Sequence, residues 1–509
     1  MSLLGLDLGT TGCKAAAFAL DGRPLGWAYR EYPTIHPRPD WAELDARLVW
    51  QRVQEVIAAA AAAAQADPVT ALSISSFGEA TFPVSADRQL LGNAILCADQ
   101  RGIEHVEALA RDIGQEAFFR INPNLLGAQY SLPKLLWLRE NQPELVARAY
   151  KFLLAADWAA YMLGCEPVAC NSLANRTLLL DVRANQWSGP LLTWSGWPGE
   201  KLGRVVSGGT VIGVVEGGLA ARLGLGPRVA VVAGGHDQCC NALGCGCIAP
   251  GAAACGIGTF ECITPVFALP GDFDAFRKAG LNIEHHVLPD LFVSFLFNQA
   301  GSLVKWFRQA FAADRRDDAD VYAALNRELP EGPTGLLVLP HFEPPLWPRQ
   351  ILDSAGAIVG LRATTARGEI LRAIMESATL FFAAAVEALE ALKAAPRLIT
   401  ASGGGARSDA WMQIHADVLG VPFARAAFPE TGCLGAAMLA GLATGALAGP
   451  AAAVQAFVKT DRLFEPDPAR HRAYQQRLAI YQRLYPALRE IHADLARLSE
   501  AVPNRPEAD

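Results

Sequence analysis

Several stretches of the sequence combine an acid with glycines or hydroxyls at the end of an apolar run, where a fold can hold reactive groups against a ligand. The central one is Val229-Ala-Val-Val-Ala-Gly-Gly-His-Asp-Gln238. It reads as a buried strand over residues 229–233, two glycines, a lone acid at Asp237 and then a helix of small residues. Paired glycines let backbone and ligand come close, and the carboxylate can take a proton from a bound hydroxyl. The plainer reading is a strand-to-helix loop with Asp237 as the helix N-cap. At the N-terminus, Asp7 is followed by Gly9-Thr-Thr-Gly12 and Lys14, which together offer hydroxyls, open backbone N–H groups and a positive charge, the chemistry of a phosphate cradle. Gly256-Ile-Gly258-Thr259 repeats the Gly/Thr turn in a second half. Gly403-Gly404-Gly405-Ala406 stands between a strand and a helix, where a phosphate or flat ring can approach backbone near a helix N-terminus. Gly78-Glu79 and Asp99-Gln-Arg101 end two further strands and suit a ligand with many hydroxyls, although Asp99 and Arg101 could equally form an ordinary loop salt bridge.

The elements that must position these groups read as alternating α and β. Residues 3–8 and 13–20 form a hairpin closed by the Gly-Thr-Thr-Gly turn, and a third strand follows the Asp21-Gly22 turn. A long amphipathic helix runs from the Asp40–Asp45 segment to residue 64, before Asp67-Pro68. Strands follow over residues 69–75, 82–84 and 94–97, and residues 102–190 read as mostly helical, with Asp157 on a packing face. After Asp237, residues 251–255 and 260–267 form a second hairpin. Residues 396–400 form a strand ahead of a helix over 407–419, and Gly432 opens a small-residue helix with Glu430 in the turn before it. Residues 468–500 carry apolar positions at helical spacing, with a kink expected at Pro486 and docking on their own domain, and the tail 502–509 reads as loose.

Length and composition bound the rest. A chain of 509 residues, 51% hydrophobic, has room for two or more domains with large cores. A net charge of −7, with no long basic cluster, argues against a nucleic-acid partner. The acid at Asp7 inside the first apolar stretch argues against a signal peptide, and no uncharged apolar run reaches membrane-spanning length. Eleven cysteines then suggest free thiols in a reducing cytoplasm. Five of them, Cys239, Cys240, Cys245, Cys247 and Cys255, crowd the central stretch, but their spacing lacks the pair-of-pairs pattern of a thiolate metal site.

Taken in order, these segments resemble the FGGY family of carbohydrate kinases, within the sugar kinase/Hsp70/actin superfamily. Residues 5–14 resemble its first phosphate motif, 41–45 and 94–101 its sugar-domain segments, 235–238 its catalytic loop, 256–259 its second phosphate motif, and 403–406 with Trp411 and Asp417 its adenosine segment. Each piece is weak alone; six in the right order along nearly the whole chain are not. The resemblance implies an α/β fold of two ribonuclease H-like (actin-like ATPase) domains flanking a deep interdomain cleft. It implies a sugar-binding domain over 1–247, a nucleotide-binding domain over 248–445 and a helical extension over 446–509. It also implies transfer of the γ-phosphoryl group of ATP to a hydroxyl of a sugar, polyol or sugar acid, with domain closure. In that scheme Asp237 is the general base and Asp7 holds Mg²⁺. Gly9, Thr10, Thr11, Lys14, Gly258, Thr259, Gly403, Gly404, Gly405 and Ala406 bind ATP, and Gly78, Glu79, Asp99, Arg101 and His236 meet the acceptor. A homodimer is expected on the same ground. The sequence departs from xylulose kinases at Gly78-Glu79, where those have Met-His, and at Cys97, where many members have Trp; both departures fall in the sugar half. Two other classes compete: an actin- or Hsp70-like ATPase, which needs no acid placed like Asp237, and a non-catalytic sugar-binding regulator, which intact Asp7 and Asp237 argue against.

Overall fold

The N-terminal alternation of apolar residues folds as a three-stranded meander: β1 (Ser2–Leu8), β2 (Gly12–Ala19) and β3 (Pro24–Glu31), all antiparallel. The coordinates are a computed structural model that describes the chain apart from residues 316–317, 319, 343–350, 352–353 and 501–509. The tail read as loose therefore lies outside the described residues. The chain divides into two compact units, the first comprising Met1–Ala254, Thr264–Phe295 and Ala426–Thr460 and the second Cys255–Ile263, Leu296–Arg425 and Asp461–Asp509.

In the first unit the meander continues as a six-stranded sheet. Helix α1 (Ala46–Ala63) starts at Asp45, whose side chain caps it by accepting from Arg47 N and Leu48 N. Its apolar face (Val49, Val53, Val56, Ile57, Ala60) joins Leu4, Leu6 and Leu8 of β1 in one core. Strand β4 (Val69–Ser76) adds parallel to β1. Then come β5 (Val211–Val214) and β6 (Ala230–His236), giving the order β5-β6-β4-β1-β2-β3 with β6 parallel to β4. This register sets Asp7 opposite both Lys14 and Ser75. Helix α2 (Asp237–Gly244) leaves β6 without a loop, and the helix Thr431–Ala443 packs against β1, β4 and α2.

Two expectations change here. The strand before Asp237 does not stop at residue 233 but runs through both glycines to His236, pairing Gly235 with Ser75 and His236 with Ser76. Glycine is needed inside the strand because a Cβ on Gly234 would fall on the carbonyl oxygen of Ile74. The region 102–190 is mostly helical, as read, and among its helices stand Lys151–Leu154, paired with Thr81–Val84, and the short strands Val168–Cys170, Leu180–Asp181 and Gln186–Trp187. The strand expected over 94–97 is only Ala94–Ile95, paired with Glu43–Leu44, because the chain turns at once to bury Asp99.

The sheet of the second unit contains β7 (Ala252–Ile257), β8 (Phe260–Phe267), β9 (Leu296–Gln299), β10 (Leu398–Ser402), β11 (Phe423–Ala426) and β12 (Thr460–Phe464), in the order β9-β8-β7-β10-β11-β12. Helix α3 (Arg367–Ala391) packs on α4 (Asp409–Leu419), which starts two residues later than read because Ser408 caps it. The C-terminal segment is two helices, α5 (Pro468–Tyr481) and α6 (Leu484–Glu500), rather than one kinked at Pro486. The break comes earlier, so Pro486 sits in a first turn where its missing N–H costs nothing. Helix α5 is docked through Tyr474, whose buried hydroxyl donates to Glu376, which also pairs with Arg372. Among the described residues no helix is long and apolar enough to cross a membrane.

Candidate active site

Asp237 is the first residue of α2, and the N-cap is His236, not Asp237. One Asp237 oxygen accepts from Gln238 N at 2.6 Å. Burial, then the negative charge of Asp7, pushes its carboxyl up to about 7, against the opposing pull of the Gln238 N–H. The side chain keeps 33% of its surface, so it is reachable. His236 stacks on Phe295 with centroids 4.8 Å apart and accepts from Gln238 N through Nδ1, which leaves the ring proton on Nε2. Burial and the charge of Arg176 hold its pKa well below the usual histidine range, so its 3.2 Å approach to Asp237 is not an ion pair.

Asp7 closes β1 beside the turn. Its carboxylate accepts from Ser75 Oγ at 2.6 Å, and burial raises its pKa. Lys14 Nζ donates to Glu430 Oε2 at 2.6 Å; burial works against the ammonium, but Glu430 and Asp7 outweigh it and hold its pKa above the usual lysine range. The turn is pinned by Gly9 N donating to Gly12 O at 2.9 Å and by the Tyr32 hydroxyl donating to Gly9 O at 2.6 Å. Thr10 is half-buried and Thr11 exposed.

In the polar cluster next to His236, sequence reasoning named Gly78 and Glu79 but missed Arg176 and Glu284. Glu79 sits at φ 57°, left-handed for a non-glycine, at the centre of a tight turn in which Ala80 N donates to Gly78 O at 2.6 Å. Arg176 donates through Nε to Glu79 Oε1 at 2.7 Å, and its Nη2 reaches the same oxygen. Its Nη1 donates to Glu284 Oε1 at 2.6 Å. The guanidinium lies 4.7 Å from the Tyr130 ring centroid and 5.5 Å from that of Phe295. Asn282 Nδ2 donates to Glu284 at 2.6 Å, and Asn124 and Asn175 complete the buried surroundings. A Cβ on Gly78 would stand 2.9 Å from His236 Cδ2 and 3.1 Å from Arg176 Cγ, so those two side chains occupy the room that a larger residue at 78 would take. Arg176 lies in a stretch read as helical packing, and its partners are about a hundred residues away on either side. Glu284 stands in Leu281-Asn-Ile-Glu-His-His-Val287, a mixed polar and apolar segment whose sequence does not single the acid out.

Asp99 and Arg101 are engaged with each other. Buried Asp99 accepts from Ala42 N at 2.7 Å, from Arg101 N at 2.8 Å and from the Arg101 guanidinium. Arg101 also pairs with Glu43 and lies over the Trp41 and Trp137 rings at 3.9 and 4.9 Å. The pair ties the segment around Trp41 to the end of the Ala94 strand. Near it, burial pushes the Cys97 thiol up to about 11 and the Lys134 ammonium down to about 8, and Lys134 donates to Ala128 O.

In the second unit, Gly258 and Thr259 form the β7–β8 turn, with Gly258 N donating to Phe260 O at 2.9 Å. Gly403, Gly404, Gly405 and Ala406 connect β10 to the Ser408 cap of α4, and a Cβ on Gly404 would point into open space. The five central cysteines are all buried, and burial holds the Cys239, Cys240 and Cys247 thiols well above the usual range. Cys255 alone of the five stands with other ligand-type groups, Glu261 and His415, in a buried cluster.

The family model of the FGGY carbohydrate kinase N-terminal domain matches residues 2–244, and that of the C-terminal domain matches residues 278–444. A xylulose kinase of Bacillus subtilis is 25% identical over 496 residues, covering 97% of this chain and 98% of the relative. A glycerol kinase of Leptothrix cholodnii is 32% identical over 492 residues, covering 91% and 95%. The crystal structure of a xylulose kinase from Rhodospirillum rubrum superimposes with a TM-score of 0.86 at 26% identity, over 97% of this chain and 100% of that one. Both halves of the chain thus carry the family's domains, each an actin-like α/β ATPase domain; Asp7, the Gly9–Gly12 turn, Asp237 and Gly403–Ala406 lie within the matched ranges, and the Gly258-Thr259 turn lies between them. The chain belongs to the FGGY family of carbohydrate kinases and is an ATP-dependent phosphotransferase with an alcohol group as acceptor.

Proposed function

We propose that this kinase phosphorylates a hydroxyl of a ketose such as xylulose, a related polyol or a sugar acid, with Asp237 as the general base. The observation that carries the reading is the Asp237 carboxyl, reachable at the start of α2 and raised to about 7, where a group exchanges protons most effectively at neutral pH. As the acceptor oxygen bonds to the γ-phosphorus, its proton passes to Asp237 while the bond from that phosphorus to ADP breaks. His236, Gly78 and Glu79 would line the acceptor side, and Asp99 with Arg101 would hold the segment behind it. Gly9, Thr10, Thr11, Lys14, Gly258 and Thr259 would meet the phosphates, and Gly403, Gly404, Gly405 and Ala406 the adenosine. Residues 1–247 would form the sugar-binding domain, 248–445 the nucleotide-binding domain and 446–509 a helical extension on the latter.

Kinases of this family use ATP with a divalent metal, and we take that metal to be Mg²⁺. The donor set fits a hard cation. Asp7 offers carboxylate oxygens beside turn hydroxyls, its protein hydrogen bond comes from Ser75, and it raises the Asp237 carboxyl by repulsion that a nearby cation would relieve. When bound, the metal would neutralise charge on the phosphates. The free cysteines fit a reducing cytoplasm, and a homodimer belongs to the same proposal.

The test is ADP release with Mg²⁺-ATP across ketoses, aldoses, polyols and aldonic acids. One compound should raise the rate far above background, and omission of Mg²⁺ should abolish it. Steady hydrolysis that no acceptor stimulates would overturn the reading.

A further inference from the structure

Asp7 and Asp237 stand on different elements, and one helix supports both. The Thr431–Ala443 helix packs against β1, which carries Asp7, and against α2, which begins at Asp237. It is seated backbone against backbone. A Cβ on Gly5 of β1 would fall 1.8 Å from the Cys433 carbonyl oxygen, one on Gly244 of α2 would fall 2.0 Å from that of Thr431, and one on Gly435 would fall 1.9 Å from that of Cys240. The Thr431 hydroxyl also donates to Asn241 Oδ1. Main-chain carbonyls have no rotamer to retreat into, so the first turns of this helix have no room to shift against either neighbour. Gly432 lies among these contacts and meets something different. The nearest atoms to a Cβ there are Asp7 Cγ at 3.2 Å, Oδ1 at 3.2 Å and Oδ2 at 3.3 Å, so the carboxylate lies over the place a side chain would take. Gly432 sits inside the helix and outside the left-handed region, so nothing in its own backbone calls for glycine, a poorer helix former than alanine.

We propose that Gly432 is a positioning residue for the phosphoryl transfer: its missing side chain sets where the half-buried Asp7 carboxylate stands, and so how well Mg²⁺ and the nucleotide phosphates are received there. The inference rests on the reading of Asp7 as the acid that holds the metal, and deepens it. A methyl at 432 has a clamped helix behind it, so Asp7, which also accepts from Ser75 Oγ, is the group that must give, by a few tenths of an ångström. Mg²⁺ demands near-ideal octahedral geometry and Ca²⁺ accepts a flexible one, so the displacement tells on Mg²⁺ more than on Ca²⁺.

The test measures ADP binding by calorimetry at graded Mg²⁺ or Ca²⁺, for the wild-type chain and Gly432→Ala, with Gly435→Ala as the packing control. Gly432→Ala should keep a ligand-free urea midpoint at or above that of wild type, because the added methyl meets a side chain, whereas Gly435→Ala, whose methyl meets a carbonyl, should lose midpoint. The Mg²⁺ concentration that half-saturates ADP binding should rise about 3- to 30-fold in Gly432→Ala, a fraction of the roughly 10²-fold that a 1 Å misplacement can cost, and the Ca²⁺ concentration far less. Equal Mg²⁺ dependence in Gly432→Ala and wild type would overturn the inference and leave the kinase reading standing. A parallel rise for both cations would do the same, since it would mean a general loss of the nucleotide site, and so would a midpoint lowered as far as that of Gly435→Ala, since the helix would then be taking the strain. Wild-type chain whose ADP binding ignores both cations would sink the reading of Asp7, and this inference with it.

Discussion

At the residue scale the proposed chemistry rests on two acids, and each is defined by what surrounds it. Asp237 feels burial and Asp7, which together hold its carboxyl near neutrality instead of near the usual value for an aspartate. Asp237→Asn keeps the size and the helix start but removes the base. We expect kcat to fall by about 10²–10⁴-fold with a native circular dichroism spectrum, and turnover within threefold of wild type would reject the role. The pH profile follows from the same shift. The base works when unprotonated, so kcat/KM for the acceptor should climb as pH rises toward about 7, with the limb above the usual aspartate range because burial, the larger cause, persists when a cation relieves the Asp7 charge. A limb near pH 4 would mean that burial does not govern Asp237.

The junction of β6 and α2 decides where Asp237 stands at the element scale. The strand carries Gly234 because β4 presses against it and Gly235 because the Ser172 and Val287 side chains do, and the helix begins two residues after Gly235. Gly234→Ala would put a methyl on the Ile74 carbonyl, a backbone group that cannot rotate away. A loss of about 3 kcal/mol or more is expected, read as a lowered urea midpoint with an unchanged slope. A midpoint equal to wild type would show that β4 and β6 are looser than described. Glycines read as a loop were in fact a packing requirement, and a single sequence does not distinguish the two because both call for the same residue.

Charge burial is spread over the whole molecule as well as its site. Asp157 is buried, accepts from Cys170 N at 3.1 Å on both oxygens, and is pushed up to about 8 by desolvation. In the unfolded chain its pKa is near 3.9, so the folded state binds the extra proton between about pH 4 and pH 8. Its contribution is therefore present at low pH and lost as pH rises through that window. Asp157→Asn cannot ionise, so its stability relative to wild type should improve between pH 5 and pH 9 by about 2 kcal/mol or more, measured by urea unfolding at both. A difference that stays constant would mean that Asp157 is charged throughout. The residue was read from its helical spacing as packing, and its burial agrees with that; its protonation needed the surrounding atoms.

The sequence by itself determined the parts whose causes are local. The Gly-Thr-Thr-Gly hairpin, the Asp45-capped helix α1, the β8 strand and the order of glycine and acid segments could all be read from turn chemistry and periodicity, and that order is also what the family match rests on. Tertiary structure decided the cluster around Arg176. Glu79 and Arg176 are 97 residues apart and Arg176 and Glu284 are 108 apart, and Asp99 with Arg101 turned inward to meet Ala42 and Glu43. A hydrogen bond between distant residues leaves no period and no turn preference in either segment, so only the folded chain shows which acid meets which cation.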